Sequence, residues 1–60
     1  MTSRQQQIKA EILRLYSNGQ WEGRASAVML GKQFNVPSTI EVLRLAETTI
    51  EEYKRNQSDN

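Results

Sequence analysis

Apolar residues recur every three or four positions in separate segments of this chain, which is the spacing of one face of an α-helix. In the first segment the recurring residues are Ile8, Ile12, Leu15 and Tyr16, with Leu13 beside them. In the last segment they are Ile40, Leu43, Ala46, Ile50 and Tyr53. The pattern predicts an all-α protein whose core is formed by these helical stripes.

Capping residues predict where the first helix begins and ends. Ser3 is followed three residues later by Gln6, which is the spacing of a capping box at a helix start. Gly19 suits the left-handed conformation that often ends a helix, because it has no Cβ to clash. We therefore predict the first helix over residues 4–18 and a connection over residues 20–23.

Pro37 and the residues after it predict a sharp boundary between two further helices. Proline lacks a backbone N–H and keeps the preceding residue out of the α region, so a helix arriving from the N-terminal side should stop near Asn35. Ser38 and Glu41 then form a second capping box. These signals predict helices over residues 24–35 and 38–54, joined by a very short turn.

The middle helix carries apolar residues around much of its circumference. One side presents Ala25, Val28, Met29 and Lys32, and the other presents Ala27, Leu30, Gly31 and Phe34. We therefore expect a short, mostly buried central helix.

The last helix carries a second apolar line beside its core stripe, formed by Val42, Leu45 and Thr49. The two lines together are wider than packing against two short helices should require. We interpret the second line as the interface of a homodimer. Residues 55–60 contain nothing to bury, and we expect them to fray as a disordered tail.

Length and composition narrow the range of possible functions. A single domain of 60 residues buries only about 60% of the surface that its unfolded chain exposes, so self-association would add stability. The chain has no cysteine and no histidine, which removes the usual nucleophiles, zinc ligands and acid–base groups of enzymes. With no bilayer-spanning apolar run, we expect a soluble, cytoplasmic protein that is not an enzyme and holds no cofactor or metal.

Charge is nearly balanced overall but unevenly distributed. Eight Lys and Arg residues oppose seven Asp and Glu residues, for a net charge of +1. Residues 4–32 carry five cations against two carboxylates, whereas residues 41–59 carry five carboxylates against three cations. A positive face on the first two helices is the most that this asymmetry predicts.

The segment from Leu30 to Ile40 resembles the helix-turn-helix of small DNA-binding regulators, and the likeness extends from Ala27 to Ala46. The matching residues are a small residue in the first helix, a residue that tolerates the turn, and flanking apolar residues: Gly31, Asn35, Leu30, Phe34 and Val36. The turn is one residue shorter than in that family, and Pro37 stands where the family commonly has serine.

The resemblance implies that the start of the third helix enters the major groove of double-stranded DNA. Candidates to face base edges are Ser38, Thr39, Glu41, Val42 and Leu45. Candidates to contact phosphates are Arg24, Lys32 and Gln33, followed by Arg44 and Arg14. With so few phosphate contacts, a homodimer is almost obligatory.

Two alternatives stay open at this point. The turn before Ser38 is equally well explained as an ordinary helix–helix corner, and the chain would then be a non-catalytic interaction module or small inhibitor that binds a protein partner through the apolar face of the third helix. Trp21 could anchor a partner, but we interpret it as a plug for the end of the core.

Overall fold

The computed structural model describes residues 3–58, which form three α-helices. They are α1 (Arg4–Ser17), α2 (Arg24–Gln33) and α3 (Thr39–Ser58). The long α3 packs against both α1 and α2. The molecule measures 36 × 28 × 18 Å, and its thinnest dimension is below two helix diameters of about 10–12 Å. The predicted all-α, three-helix architecture is confirmed.

Serine side chains cap two of the helices, as predicted. The Ser3 hydroxyl accepts a hydrogen bond from the Gln6 N–H at 3.2 Å. The Ser38 hydroxyl accepts from the Glu41 N–H at 3.3 Å. Each bond satisfies one of the N–H groups that a helix start leaves without a partner. Because Ser38 serves as the cap, α3 begins one residue after the predicted position.

The end of α1 is a left-handed turn at Gly19, whose φ is +72°. The Gln20 N–H donates to the Leu15 carbonyl at 2.8 Å, and the Gly19 N–H donates to the Tyr16 carbonyl at 3.1 Å. These two bonds are those of the Schellman motif. The prediction that Gly19 terminates the first helix is confirmed.

The core draws buried apolar side chains from all three helices. They are Ile8 and Ile12 of α1, Ala27 and Leu30 of α2, and Val42 and Ala46 of α3. Trp21, in the connection between α1 and α2, is half-buried and packs against this cluster. The interpretation of Trp21 as a plug for the core is therefore confirmed.

The rotation of α3 about its axis differs from the prediction. Val42 and Thr49 are 1% and 3% exposed, whereas Ile40 is 59% exposed. The line that we interpreted as a dimer interface is thus largely core, because α1 and α2 together cover a wider arc of α3 than expected. Val42 and Thr49 are unavailable to a partner chain, and that prediction is corrected. Leu45 is half-buried and packs against the core.

Two further predictions are wrong. The predicted buried central helix exposes its Ala25, Val28, Met29 and Lys32 face, because α3 covers only the opposite face of α2. The predicted tail is helical to Ser58, and the Gln57 amide donates to the Tyr53 hydroxyl at 2.9 Å. Lys54, Arg55 and Gln57 have high helix propensity, and they continue the helix without burial. Residues 59 and 60 of the tail lie outside the described residues.

Within residues 3–58, none of the helices combines the length and the apolar character that crossing a bilayer requires.

Candidate nucleic-acid interface

The corner between α2 and α3 turns at Asn35, whose φ is +57°. The Phe34 N–H donates to the Leu30 carbonyl at 2.9 Å, and the Val36 N–H donates to the Gly31 carbonyl at 2.8 Å. The second bond spans five residues, as in a Schellman motif. Asparagine tolerates the left-handed region better than most residues with a side chain. The corner is therefore a defined, hydrogen-bonded turn.

Gly31 occupies a position where the corner leaves little room for a side chain. It is buried, and a Cβ added there would lie 3.0 Å from the carbonyl oxygen of Val36. We expected a small residue to permit close approach at this corner, and the structure has one. The close neighbour is the backbone of the connection rather than α3.

Six of the seven residues predicted to bind nucleic acid lie around this corner. Lys32 and Gln33 are exposed in the last turn of α2. The other four lie in the first turn and a half of α3: Ser38 as the cap, then Thr39, Glu41 and Arg44. Lys32 and Thr39 line one shallow depression with Asn35 and Pro37.

Arg24 lies apart from the other six residues. It is the first residue of α2, eight positions before Lys32, which corresponds to about 12 Å along the helix axis. Arg24 is exposed. It could therefore contact a second phosphate group, but it does not belong to the cluster at the corner.

The exposed ridge of α3 carries one residue, Ile40, that the sequence pattern did not identify as part of the site. Val42, which we expected to face base edges, is in the core, and Leu45 is half-buried. The exposed positions are Ile40 and, one turn later, Arg44. Ile40 lies two residues before Val42, so its side chain points about 200° away around the helix. The signal for this rotation was the line of Val42, Leu45 and Thr49, which we assigned to a dimer interface, whereas Ala46 was correctly placed in the core.

Cations near the corner are without ion-pair partners in the part of the chain that the structure describes. The one ion pair found there is between Glu11 and Arg14 of α1, at 2.8 Å. The hydrogen bond from Arg14 lowers the pKa of the Glu11 carboxyl, and the same bond raises the pKa of Arg14. Arg14 is therefore occupied by Glu11, whereas Lys32 and Arg44 present their charges to solvent.

A second depression, of about 410 Å³, lies between the start of α1 and the start of α3. Its polar lining comes from Arg4, Gln5 and Glu41, and its apolar lining includes Ile8 and Leu45. Arg4 thereby joins the set of cations beside the corner, which the motif alone did not indicate. Its position follows from the packing of α1 on α3.

Carboxylates limit the length of the positive surface. Glu47 and Glu51 follow Ile40 and Arg44 at intervals of seven residues, so they lie on nearly the same face of α3. A polyanion could approach the first turn and a half of α3 without meeting them. Among residues 3–58, no three carboxylates lie close enough together to hold a metal ion.

Comparison with known protein families, curated proteins and solved structures finds no match to this chain.

Proposed function

We propose that this protein is a small, cytoplasmic, non-catalytic transcriptional regulator that binds double-stranded DNA as a homodimer through α2, the Asn35 corner and α3. The observation that supports it best is the exposed first turn of α3 beside the last turn of α2, with Lys32 and Arg44 unpaired there among the described residues. Fold alone does not determine function, so the proposal rests on these side chains.

The two helices would have different roles in this proposal. The first turn of α3 would enter the major groove, where Thr39, Glu41 and Arg44 would meet base edges. Lys32 and Gln33 in the last turn of α2 would contact the phosphates that flank the groove, and Arg24 would contact a more distant one. Contacts with the DNA phosphates would set the position of the protein on the duplex, and α3 would supply the preference for a base sequence.

Homodimer formation follows from the small number of cations. Each phosphate contact contributes a limited amount of salt-dependent affinity, and one copy offers only three or four. Two copies on one duplex would double the contacts. Because Val42 and Thr49 are in the core, the dimer would have to form through other residues.

Fluorescence anisotropy against duplex DNA at low and moderate salt tests the proposal. We expect the logarithm of the binding constant to fall linearly with the logarithm of the salt concentration, with a slope of about −0.9 for each phosphate contacted. Lys32→Ala should weaken binding to all sequences and reduce the slope by about 1 for each protein copy. Arg55→Ala, which removes the same charge near the far end of α3, is the matched control and should leave binding unchanged.

Three results would count against DNA binding. They are no binding at low salt, binding without a salt slope, and an equal effect of the two substitutions. The last result would mean that only net charge matters and that the corner has no special role.

A protein partner is the second candidate function, and one observation favours it. Met29 and Val28, on the outer face of α2, are 57% and 39% exposed. Exposed methionine is common on surfaces that bind other proteins. This candidate no longer relies on the Val42 line of α3. It predicts that Met29→Asp abolishes association with that partner, measured by sedimentation, and leaves the affinity of the chain for DNA unchanged.

A further inference from the structure

The first turn of α3 exposes more than half of a large apolar side chain. Ile40 is 59% exposed, although an isoleucine typically gains roughly 1.5–3 kcal/mol when it is fully buried. Its neighbour Thr39 is half-buried and also carries a methyl group. These two residues place methyl groups at the end of α3 that the proposed function directs toward DNA.

Charged groups surround this apolar position. Arg44 lies one turn after Ile40, which is about 6 Å along the axis and about 40° around it. Lys32 lines the same depression as Thr39, on the other side of the corner. Neither cation has an ion-pair partner within residues 3–58. One carboxylate, Glu41, is also exposed in this turn, so the two cations outnumber it. An occupant that complements this surface would therefore offer negative charge together with a small apolar group.

Duplex DNA offers both features in its major groove. The C5 methyl group of thymine is the apolar group displayed there, and no other standard base carries one. Arginine pairs with the O6 and N7 atoms of guanine through two hydrogen bonds. Base pairs are roughly 3.4 Å apart, so the separation of about 6 Å between the two residues spans at most two base steps.

We propose that Ile40 reads the C5 methyl group of a thymine, and that Arg44 reads a guanine within two base pairs of it. This inference rests on the proposed function, since it names the bases that the same surface would recognise. It makes Ile40 a specificity-determining residue rather than a component of the core.

Replacement of thymine by uracil in the duplex provides the test, because uracil lacks only the C5 methyl group. A preferred site is first selected from a random-sequence duplex pool, and each thymine of that site is then replaced in turn. Replacing the thymine that Ile40 contacts should weaken binding about fourfold, which corresponds to about 0.8 kcal/mol for one buried methyl group. Ile40→Ala should bind the two duplexes equally.

Thr48→Ala is the matched control, since Thr48 is also exposed on α3 but lies about two turns beyond Ile40. It should retain the fourfold preference for thymine. Circular dichroism of each variant should match that of the original protein, because neither side chain is buried.

The outcomes separate the inference from the proposed function. Salt-dependent DNA binding with no preference for thymine, or a preference that survives Ile40→Ala, overturns the inference and leaves the proposed function standing. Selection that recovers no preferred sequence also overturns the inference. If no duplex binds at low salt, the proposed function and the inference fail together.

Discussion

Thr49 offers a direct test of how the core is packed. Its side chain is buried, and its hydroxyl oxygen has no hydrogen-bond partner among the described residues. A buried hydroxyl without a partner costs roughly 1–3 kcal/mol. Thr49→Val replaces the hydroxyl with a methyl group of similar size and keeps the β-branched shape, so helix propensity is nearly unchanged. We expect the free energy of unfolding to rise by about 1 kcal/mol.

Thr48 provides a matched control on the adjacent position of α3. It is exposed, and its hydroxyl donates to the Arg44 carbonyl at 3.2 Å. Thr48→Val removes a bond that water replaces, so its effect should stay within about 0.5 kcal/mol. Thermal unfolding followed by circular dichroism resolves the two variants, since 1 kcal/mol shifts the Tm of a domain this small by roughly 4–8 °C.

A Thr49→Val variant that is no more stable than the original protein would refute the reasoning. It would mean that the Thr49 hydroxyl has a hydrogen-bond partner, and the structure offers one position for it. A shallow depression lined by Lys9 and Glu52 lies beside Thr49, and a water molecule bound there could accept the hydrogen bond. Thr49→Ser, which keeps the hydroxyl and removes the methyl group, should be destabilised under either outcome.

The remaining predictions concern the corner and the ion pair of α1. Gly31→Ala should lower the free energy of unfolding measured in urea, because the added Cβ would lie 3.0 Å from the Val36 carbonyl oxygen, although alanine favours helices. Unchanged stability would show that the backbone of the corner can move away from the Cβ at little cost. Asn35→Ala should destabilise by about 1 kcal/mol and Asn35→Gly should not, since the φ of +57° penalises a Cβ; equal effects in the same assay would contradict this. The pKa of Glu11 is lowered by its hydrogen bond to Arg14, so the folded state gains stability above the ordinary value of 4.5 and loses it as pH falls through the lowered pKa. Glu11→Gln should remove this small contribution to the free energy of unfolding. If the loss of stability at acidic pH is the same in the variant, the role given to the Glu11–Arg14 pair is contradicted.

Local signals made the helix boundaries predictable from the sequence. Ser3 and Ser38 act through hydrogen bonds to amides three residues away, and Gly19 and Asn35 adopt left-handed conformations that few other residues tolerate. Each of these effects depends on a few adjacent residues. They do not require knowledge of which surfaces meet.

The rotation of α3 was not predictable in the same way. Two apolar lines lay side by side, and the stripe containing Ile40 had the more regular spacing. Which line is buried depends on how α1 and α2 pack, and this is a property of the whole fold. The buried line is Val42, Ala46 and Thr49. For the same reason Ile40 was not included in the candidate site. Lys32 and Thr39 were included because their positions depend on the corner motif and not on the rotation of α3.

The helical end of α3 was missed for a different reason. Residues 55–57 are exposed, and we took the absence of apolar residues as a sign of disorder. An exposed helix can nevertheless continue from a packed one, because adding a residue costs less than starting a new helix. The hydrogen bond from Gln57 to Tyr53 stabilises this last turn. Burial therefore determines which face of a helix packs against its neighbours, and it has less influence on the residue at which the helix ends.

The charges along α3 divide it into two parts with different consequences for DNA binding. Arg44 is its last cation before Lys54, and Glu47, Glu51 and Glu52 lie between them. A helix of 20 residues is about 30 Å long. If α3 lay lengthwise in a groove, its carboxylates would approach phosphates, and like charges would repel. Entry by the N-terminal end brings Lys32 and Arg44 near the DNA with one carboxylate, Glu41, and keeps the other three away. For the proposed regulator, affinity must therefore come from pairing two short contacts, one from each copy, rather than from lengthening a single contact.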